Sequence, residues 1–321
     1  MIQKENNMGV SIIIQIILLI LGFVFLIKGS DYFVEGSSSV ASILKIPTII
    51  VGLTVVAFGT SAPEAAVSIT SSLTGNNAIA VSNVIGSNLF NILFIIGLCA
   101  LLNELKIGKD VIKSDLPFLV AITIITSLFI LVNWNISRIE GMILLIIIFA
   151  YISYLVISAL RSGGAKVIEK PKLTLSKSII YIIIGIIGII LGADLVVNNA
   201  SSIAIAVGMS ETLVGLTIVA VGTSLPELVT SLTALKKDEN QLVIGNVIGS
   251  NIFNLLFILG LSSTISPITL SSNMLVDICL MVFITILCLV FGKTQNKFDK
   301  KEGIILVGLF ILYMIFIILR N

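Results

Sequence analysis

Two glutamates stand where a membrane would ordinarily exclude them. Glu64 and Glu227 each lie past the middle of an apolar run and directly follow a proline, within Gly-Thr-Ser-Ala-Pro-Glu and Gly-Thr-Ser-Leu-Pro-Glu. A charged side chain near the bilayer centre costs about 2.5–3.5 kcal/mol on insertion scales, so the two acids imply a use for their charge. Pro63 and Pro226 each remove a backbone donor and crowd the preceding turn, and Gly59 and Gly222 loosen it further. Irregular backbone is tolerated at membrane depth where it faces protein or a watery cavity, and its freed carbonyls can coordinate a cation. Thr60, Ser61, Thr223 and Ser224 add hydroxyls, and Asn91 and Asn254 add amide oxygens. Such hard oxygen donors suit calcium, and sodium makes similar demands at lower charge.

Other chemistries lack their residues. The chain has no histidine, and Cys99, Cys279 and Cys288 sit in apolar segments without metal-ligand spacing. Imidazole and thiolate sites for zinc or copper are therefore not expected, and any titrating group inside the membrane is a carboxylate. Two glutamates flanked by hydroxyls also lack the aspartate pattern of an aspartyl protease. No catalytic residue, no cofactor and no enzymatic activity is expected. Asn83, Asn246, Ser87 and Ser250 can serve equally as ligands or as packing residues between helices. Asp31 and Asp194 read as helix caps.

The elements that position these groups are helices crossing a bilayer. The 321 residues are 57% hydrophobic and only 11% charged, with a mean hydropathy of +1.17, far outside the range of soluble domains. Apolar runs of about 17–25 residues, without the alternation of barrel strands, give an all-α polytopic membrane protein. A net charge of +2, with charges confined to short connections, leaves no basic field for nucleic acid. The run from Val10 to Ile27 outlasts a signal-peptide core and reads as the first of ten spans. These are 10–29, 47–72, 79–101, 116–133, 141–160, 178–197, 210–235, 241–263, 274–292 and 303–319.

The ten divide five and five about the connection at 161–177, which gives units 1–160 and 178–321. Internal similarity supports the division. GLTVVAFGTSAPE at 52–64 matches GLTIVAVGTSLPE at 215–227, and NVIGSNLFN at 83–91 matches NVIGSNIFN at 246–254, both 163 residues apart. Gly29 and Asp31 align with Gly192 and Asp194 at the same shift. An odd number of spans per unit sends the second copy into the membrane from the opposite side, so two inverted five-helix repeats are expected. Lysines accumulate in the odd-numbered connections, from Lys45 through Lys106, Lys109 and Lys113 to Lys293, Lys297, Lys300 and Lys301. The bias places 161–177 in the cytoplasm and both termini outside the cell.

The paired GTS-x-PE and G-S-N-x-F-N motifs resemble the alpha repeats of the sodium/calcium exchanger family, within the calcium/cation antiporter superfamily, and the resemblance spans all ten helices. It implies a bundle in which the second and third helices of each half surround four cation sites, with the long first helices forming a sliding pair. Carried over, Glu64 and Glu227 would bind calcium with the carbonyls of Thr60 and Thr223. Sodium sites would use the carbonyls of Ala57 and Ala220 and the hydroxyls of Ser61, Ser224, Ser87 and Ser250, with Asn91 and Asn254 lining the middle. One departure concerns Asn254, where several prokaryotic relatives carry an aspartate. The resemblance implies exchange of sodium for calcium across the cell membrane, with the two ions and the bilayer as partners and no obligatory protein partner. A proton/calcium antiporter is the alternative on the same scaffold, and a channel a more distant one.

Overall fold

The computed structural model describes residues 2–75, 77–161, 171–209, 218, 220–269 and 274–320. Its helices are α1 (Ile2–Leu44), α2 (Thr48–Thr60), α3 (Ala62–Leu73), α4 (Ile79–Leu102), α5 (Val111–Val132), α6 (Arg138–Arg161), α7 (Leu175–Ala206), α8 (Leu225–Lys236), α9 (Asn240–Ile265), α10 (Leu275–Gln295) and α11 (Lys300–Arg320). Among the described residues eight helices are long and apolar enough to cross a membrane, or nine if α2 and α3, bent by 50° at Ser61, count as one span. Of the expected span 210–235, residues 210–217 and 219 lie outside the described residues, and α8 is its second half. The fold is thus nearly all helical.

Two helices outrun their expected ends. The span expected at 10–29 continues through Leu44, and that expected at 178–197 runs from Leu175 to Ala206. At 1.5 Å per residue α1 is about 65 Å long and α7 about 48 Å, against about 30 Å of hydrocarbon. The polar residues after Lys28 do not break α1, because they find partners on its neighbours. Lys237 donates to the Asp31 carbonyl at 2.9 Å and pairs with its carboxylate at 3.4 Å, Ser38 bonds Glu239, and Ser30 meets Thr230 at 3.2 Å. Asp31 and Asp194 therefore lie inside helices, and the cap reading is wrong for both. Asp194 instead accepts from Asn198 at 2.9 Å.

α1 and α7 pack antiparallel along a seam of glycines. An added Cβ at Gly22 would meet the Gly192 carbonyl at 2.9 Å, one at Gly29 the Ile189 nitrogen at 2.8 Å, and one at Gly36 the Ser178 carbonyl at 2.7 Å. Small residues let the two backbones touch where lipid offers no hydrophobic drive to bring them together. The interior belongs to other helices. Over the most apolar 18-residue stretch of each helix, 94% of α9 and 78% of α4 is buried, against 17% of α1 and α11, so α4 and α9 form the centre. α9 packs on α2 and α3, and α4 on α3, α8 and α11.

Four two-residue strands link the helix ends: β1 (Leu105–Lys106), β2 (Asn135–Ile136), β3 (Ile268–Thr269) and β4 (Lys297–Phe298). They pair across the halves, β1 with β4 and β2 with β3, both antiparallel. The end of α4 thereby meets the start of α11, and the end of α5 meets the end of α9. An ion pair between Lys297 and Glu104 at 2.9 Å braces the first ribbon.

Candidate cation site

Each glutamate sits where a helix restarts. Ser61 and Ser224 take the same non-helical conformation, with φ −81° and ψ 9° for one and φ −93° and ψ 7° for the other. Pro63 and Pro226 then occupy the first turns of α3 and α8, where a missing N–H costs nothing. Glu64 and Glu227 fall in those same first turns, so the unpaired N–H groups and the dipole of each half-helix favour their negative charge. Both side chains are fully buried.

The two breaks are joined crosswise. Ser61 Oγ donates to Glu227 Oε1 at 2.8 Å, and Ser224 Oγ to Glu64 Oε1 at 3.0 Å. Ser250 adds a second bond to Glu227 Oε1 at 3.3 Å, and Ser224 and Ser87 lie 3.1 Å apart. Asn83 donates to the Glu64 carbonyl at 3.2 Å and to Ser68 at 3.0 Å, and Asn246 does the same to the Glu227 carbonyl and Ser231 at 3.2 and 3.0 Å. Thr60 Oγ1 donates to Asn246 Oδ1 at 3.0 Å, and Thr223 Oγ1 to Asn83 Oδ1 at 3.4 Å. These threonine hydroxyls thus tie the breaks to α4 and α9. Asn83 and Asn246 likewise bond the glutamate turns to α4 and α9.

Asn91 and Asn254 lie where α4 and α9 widen into π-helical turns, Phe90–Ile96 and Asn254–Ile258. Such turns often mark functional sites, and nothing in the local composition announces them. Asn91 Nδ2 donates to Asn251 Oδ1 and Asn254 Nδ2 to Asn88 Oδ1, both at 3.0 Å. Asn88 and Asn251 join this network although sequence reasoning passed them over, and both stand in the duplicated G-S-N-x-F-N. The Ala57 carbonyl accepts from the Ser61 N–H at 3.0 Å and lies 3.3 Å from the Thr60 hydroxyl. Ala220 opens a short helical turn, Ala220–Gly222, and its side chain lies outside the described residues.

Four side-chain oxygens of this network are buried without a hydrogen-bond partner among the described residues: Glu64 Oε2, Glu227 Oε2, Asn91 Oδ1 and Asn254 Oδ1. An orphaned buried carboxylate oxygen carries a large desolvation cost, and an oxygen-seeking cation removes it. Two carboxylates and neutral oxygens constitute the donor set; no group of three or more His, Cys, Asp or Glu side chains converges among the described residues. The chemistry fits calcium or sodium as cargo.

The sodium/calcium exchanger family model matches residues 14–160 and 177–319, both halves of the chain. The chain belongs to this family. The sodium/calcium exchanger MaX1 of Methanosarcina acetivorans is 30% identical over 344 residues, covering 95% of this chain and 98% of that protein. The inner membrane protein YrbG of Escherichia coli is 31% identical over 311 residues, with 92% and 94% covered. The solved structure of the sodium–calcium exchanger NCX_Mj, soaked with Na+ and Sr2+, superposes with a TM-score of 0.84 at 33% identity, over 94% of this chain and 97% of that one. The exchanger fold, membrane transport and cation antiport follow from this membership, and the family's members are transporters, not enzymes.

Proposed function

We propose that this exchanger moves sodium against calcium through Glu64 and Glu227, at about three sodium ions per calcium, in the cell membrane. The observation that carries the reading is the set of four unpartnered buried oxygens, two of them on carboxylates. Two carboxylates supply −2, which one calcium or about two sodium ions neutralise, so the ions compete for one set of oxygens. The ion-free pair of buried anions is costly, and that cost discourages an empty carrier from returning. Alternation then couples the two flows. Ser61, Ser224, Ser87 and Ser250, with the backbone at Thr60, Thr223, Ala57 and Ala220, complete the ligand sets, and Asn91 and Asn254 line the middle.

Energetics favour three to one. A tenfold sodium gradient yields about 1.4 kcal/mol per ion, and one net charge crossing 100 mV yields about 2.3 kcal/mol. Three sodium ions then sustain a calcium gradient of about 10⁴–10⁵, whereas electroneutral exchange of two sustains about 10².

The architecture we assign is ten helices in two inverted five-helix units. Its support is the antiparallel seating of α1 on α7, the helices carrying Gly29-Asp31 and Gly192-Asp194, and the crossed pairing of β1 with β4 and β2 with β3. α4 and α9 carry the same motif, yet they end against ribbons that flank α5 on opposite ends.

The test is calcium uptake into proteoliposomes under sodium, proton and potassium gradients imposed one at a time, with charge movement recorded. Sodium alone should drive uptake and carry net charge. Uptake driven by a proton gradient at equal sodium would overturn the coupling ion, and voltage-independent exchange would overturn the stoichiometry.

A further inference from the structure

Asn91 and Asn254 can serve a cation only through Oδ1, because the other end of each amide is an NH2 group that would repel it. What decides which end faces the site is a ring of four amides between α4 and α9. Asn88 Nδ2 donates to the backbone carbonyl of Asn251, and Asn251 Nδ2 to the backbone carbonyl of Asn88, both at 3.3 Å. A backbone carbonyl only accepts, so each of these amides must turn its NH2 to the opposite backbone. Oδ1 of Asn88 is then left to face Asn254, and Oδ1 of Asn251 to face Asn91, so Asn254 and Asn91 must in turn present their NH2 groups at 3.0 Å. Their own Oδ1 atoms are the ends that remain, buried and unpartnered. They lie one helical turn beyond Ser87 and Ser250, on the same helix faces.

We infer that Asn88 and Asn251 are positioning residues that set the polarity of Asn254 and Asn91, transmitting it from two backbone carbonyls to the cation. The inference rests on the ligand reading proposed above. It extends that reading by assigning cation selection at the middle of the site to side chains that touch no ion. All four are buried, between 0 and 2% exposed.

The discriminating property is symmetry: a carboxylate carries oxygen at both ends and needs no orienting partner, whereas an amide does. The experiment measures equilibrium binding of Ca2+ to the purified full chain in detergent, and sodium-driven Ca2+ uptake after reconstitution, for Asn88→Ala in two backgrounds. With Asn254 intact, Asn88→Ala frees the amide to turn, and Ca2+ affinity should fall about tenfold. With Asn254→Asp already present, the same Asn88→Ala change should lower affinity by less than about threefold or raise it, because it removes an oxygen that faces the carboxylate. The mirror pair, Asn251→Ala with and without Asn91→Asp, reads the other half independently. Equal losses in both backgrounds, or unchanged affinity in Asn88→Ala alone, would overturn the positioning role. Loss of folded protein in both backgrounds would assign the ring to stability and overturn it as well. Asn254→Ala separates the two levels: if it leaves Ca2+ affinity unchanged, the ligand assignment itself fails, and if it weakens binding while Asn88→Ala does not, only the positioning inference fails.

Discussion

At Glu64 and Glu227 the chain holds two carboxylates in full burial, each with one oxygen satisfied by a serine from the other half and one left over. Glu64→Gln and Glu227→Gln keep size and one acceptor oxygen but remove a charge each. Each should reduce sodium-driven calcium uptake to near background while the protein remains monodisperse, and wild-type flux in either variant would refute the site. Charge also bears on potassium. Asn91 and Asn254 are neutral, so a calcium bound at the glutamates leaves no negative charge for a co-transported monovalent ion, whose burial would go uncompensated. Replacing potassium on both sides of the vesicle by a large inert cation, at clamped potential, should leave uptake unchanged. Loss of most activity would show that neutral amides suffice to hold potassium.

Among the elements, the α1–α7 pair depends on backbone contact. A side chain at Gly185 would meet the Phe33 nitrogen at 2.7 Å and the Gly29 carbonyl at 2.8 Å, neither of which can turn aside. Gly185→Val should cost about 1–3 kcal/mol or more and lower the thermal midpoint in detergent. Gly308→Ala is the matched control: no described atom lies within 4 Å of its added Cβ, and a helix-interior glycine replaced by alanine gains about 0.5–1 kcal/mol. At the start of α11, Asp299 accepts from the backbone N–H groups of Glu302 at 3.1 Å and Lys301 at 2.8 Å. Those bonds, that to Glu302 foremost, hold its carboxyl below the usual aspartate value. Because the folded value is depressed, the stabilisation is present above the unfolded value and lost as pH falls through the folded one. Asp299→Ala should therefore lower the midpoint slightly at neutral pH, and the gap to wild type should close in acid. A gap constant with pH would exclude the cap.

Over the whole molecule, orientation follows from charge and from the ribbons. The β1–β4 ribbon carries Lys106 and Lys297 and adjoins Lys300 and Lys301, whereas the residues around the β2–β3 ribbon include Arg138 as their nearest cation in sequence. With basic residues retained in the cytoplasm, we propose that the first ribbon lies inside and the second outside. In a background lacking Cys99, Cys279 and Cys288, a cysteine placed at Ser162 should resist an impermeant thiol reagent in intact cells, and one placed at Asn321 should react. The opposite pattern would reverse the orientation.

Periodic duplication made much of this legible in one dimension. Acid after proline, repeated 163 residues apart in otherwise apolar runs, has few physical explanations, and the donor types around it disfavour soft metals; hence Glu64, Glu227 and the hydroxyl and amide set could be proposed as one cluster from sequence. Helix existence was equally legible, because twenty apolar residues in a bilayer have no other way to satisfy their backbone. Ends were not. α1 continues past Asp31 because Lys237, Glu239 and Thr230 supply partners 200 residues or more away in sequence, which no local rule anticipates. The crosswise serine bonds, the π turns at Asn91 and Asn254, and the amide ring through Asn88 and Asn251 also belong to tertiary structure alone. Hydrogen-bond polarity is a property of pairs of groups facing each other across two helices, and a linear sequence states the groups without stating which of them meet.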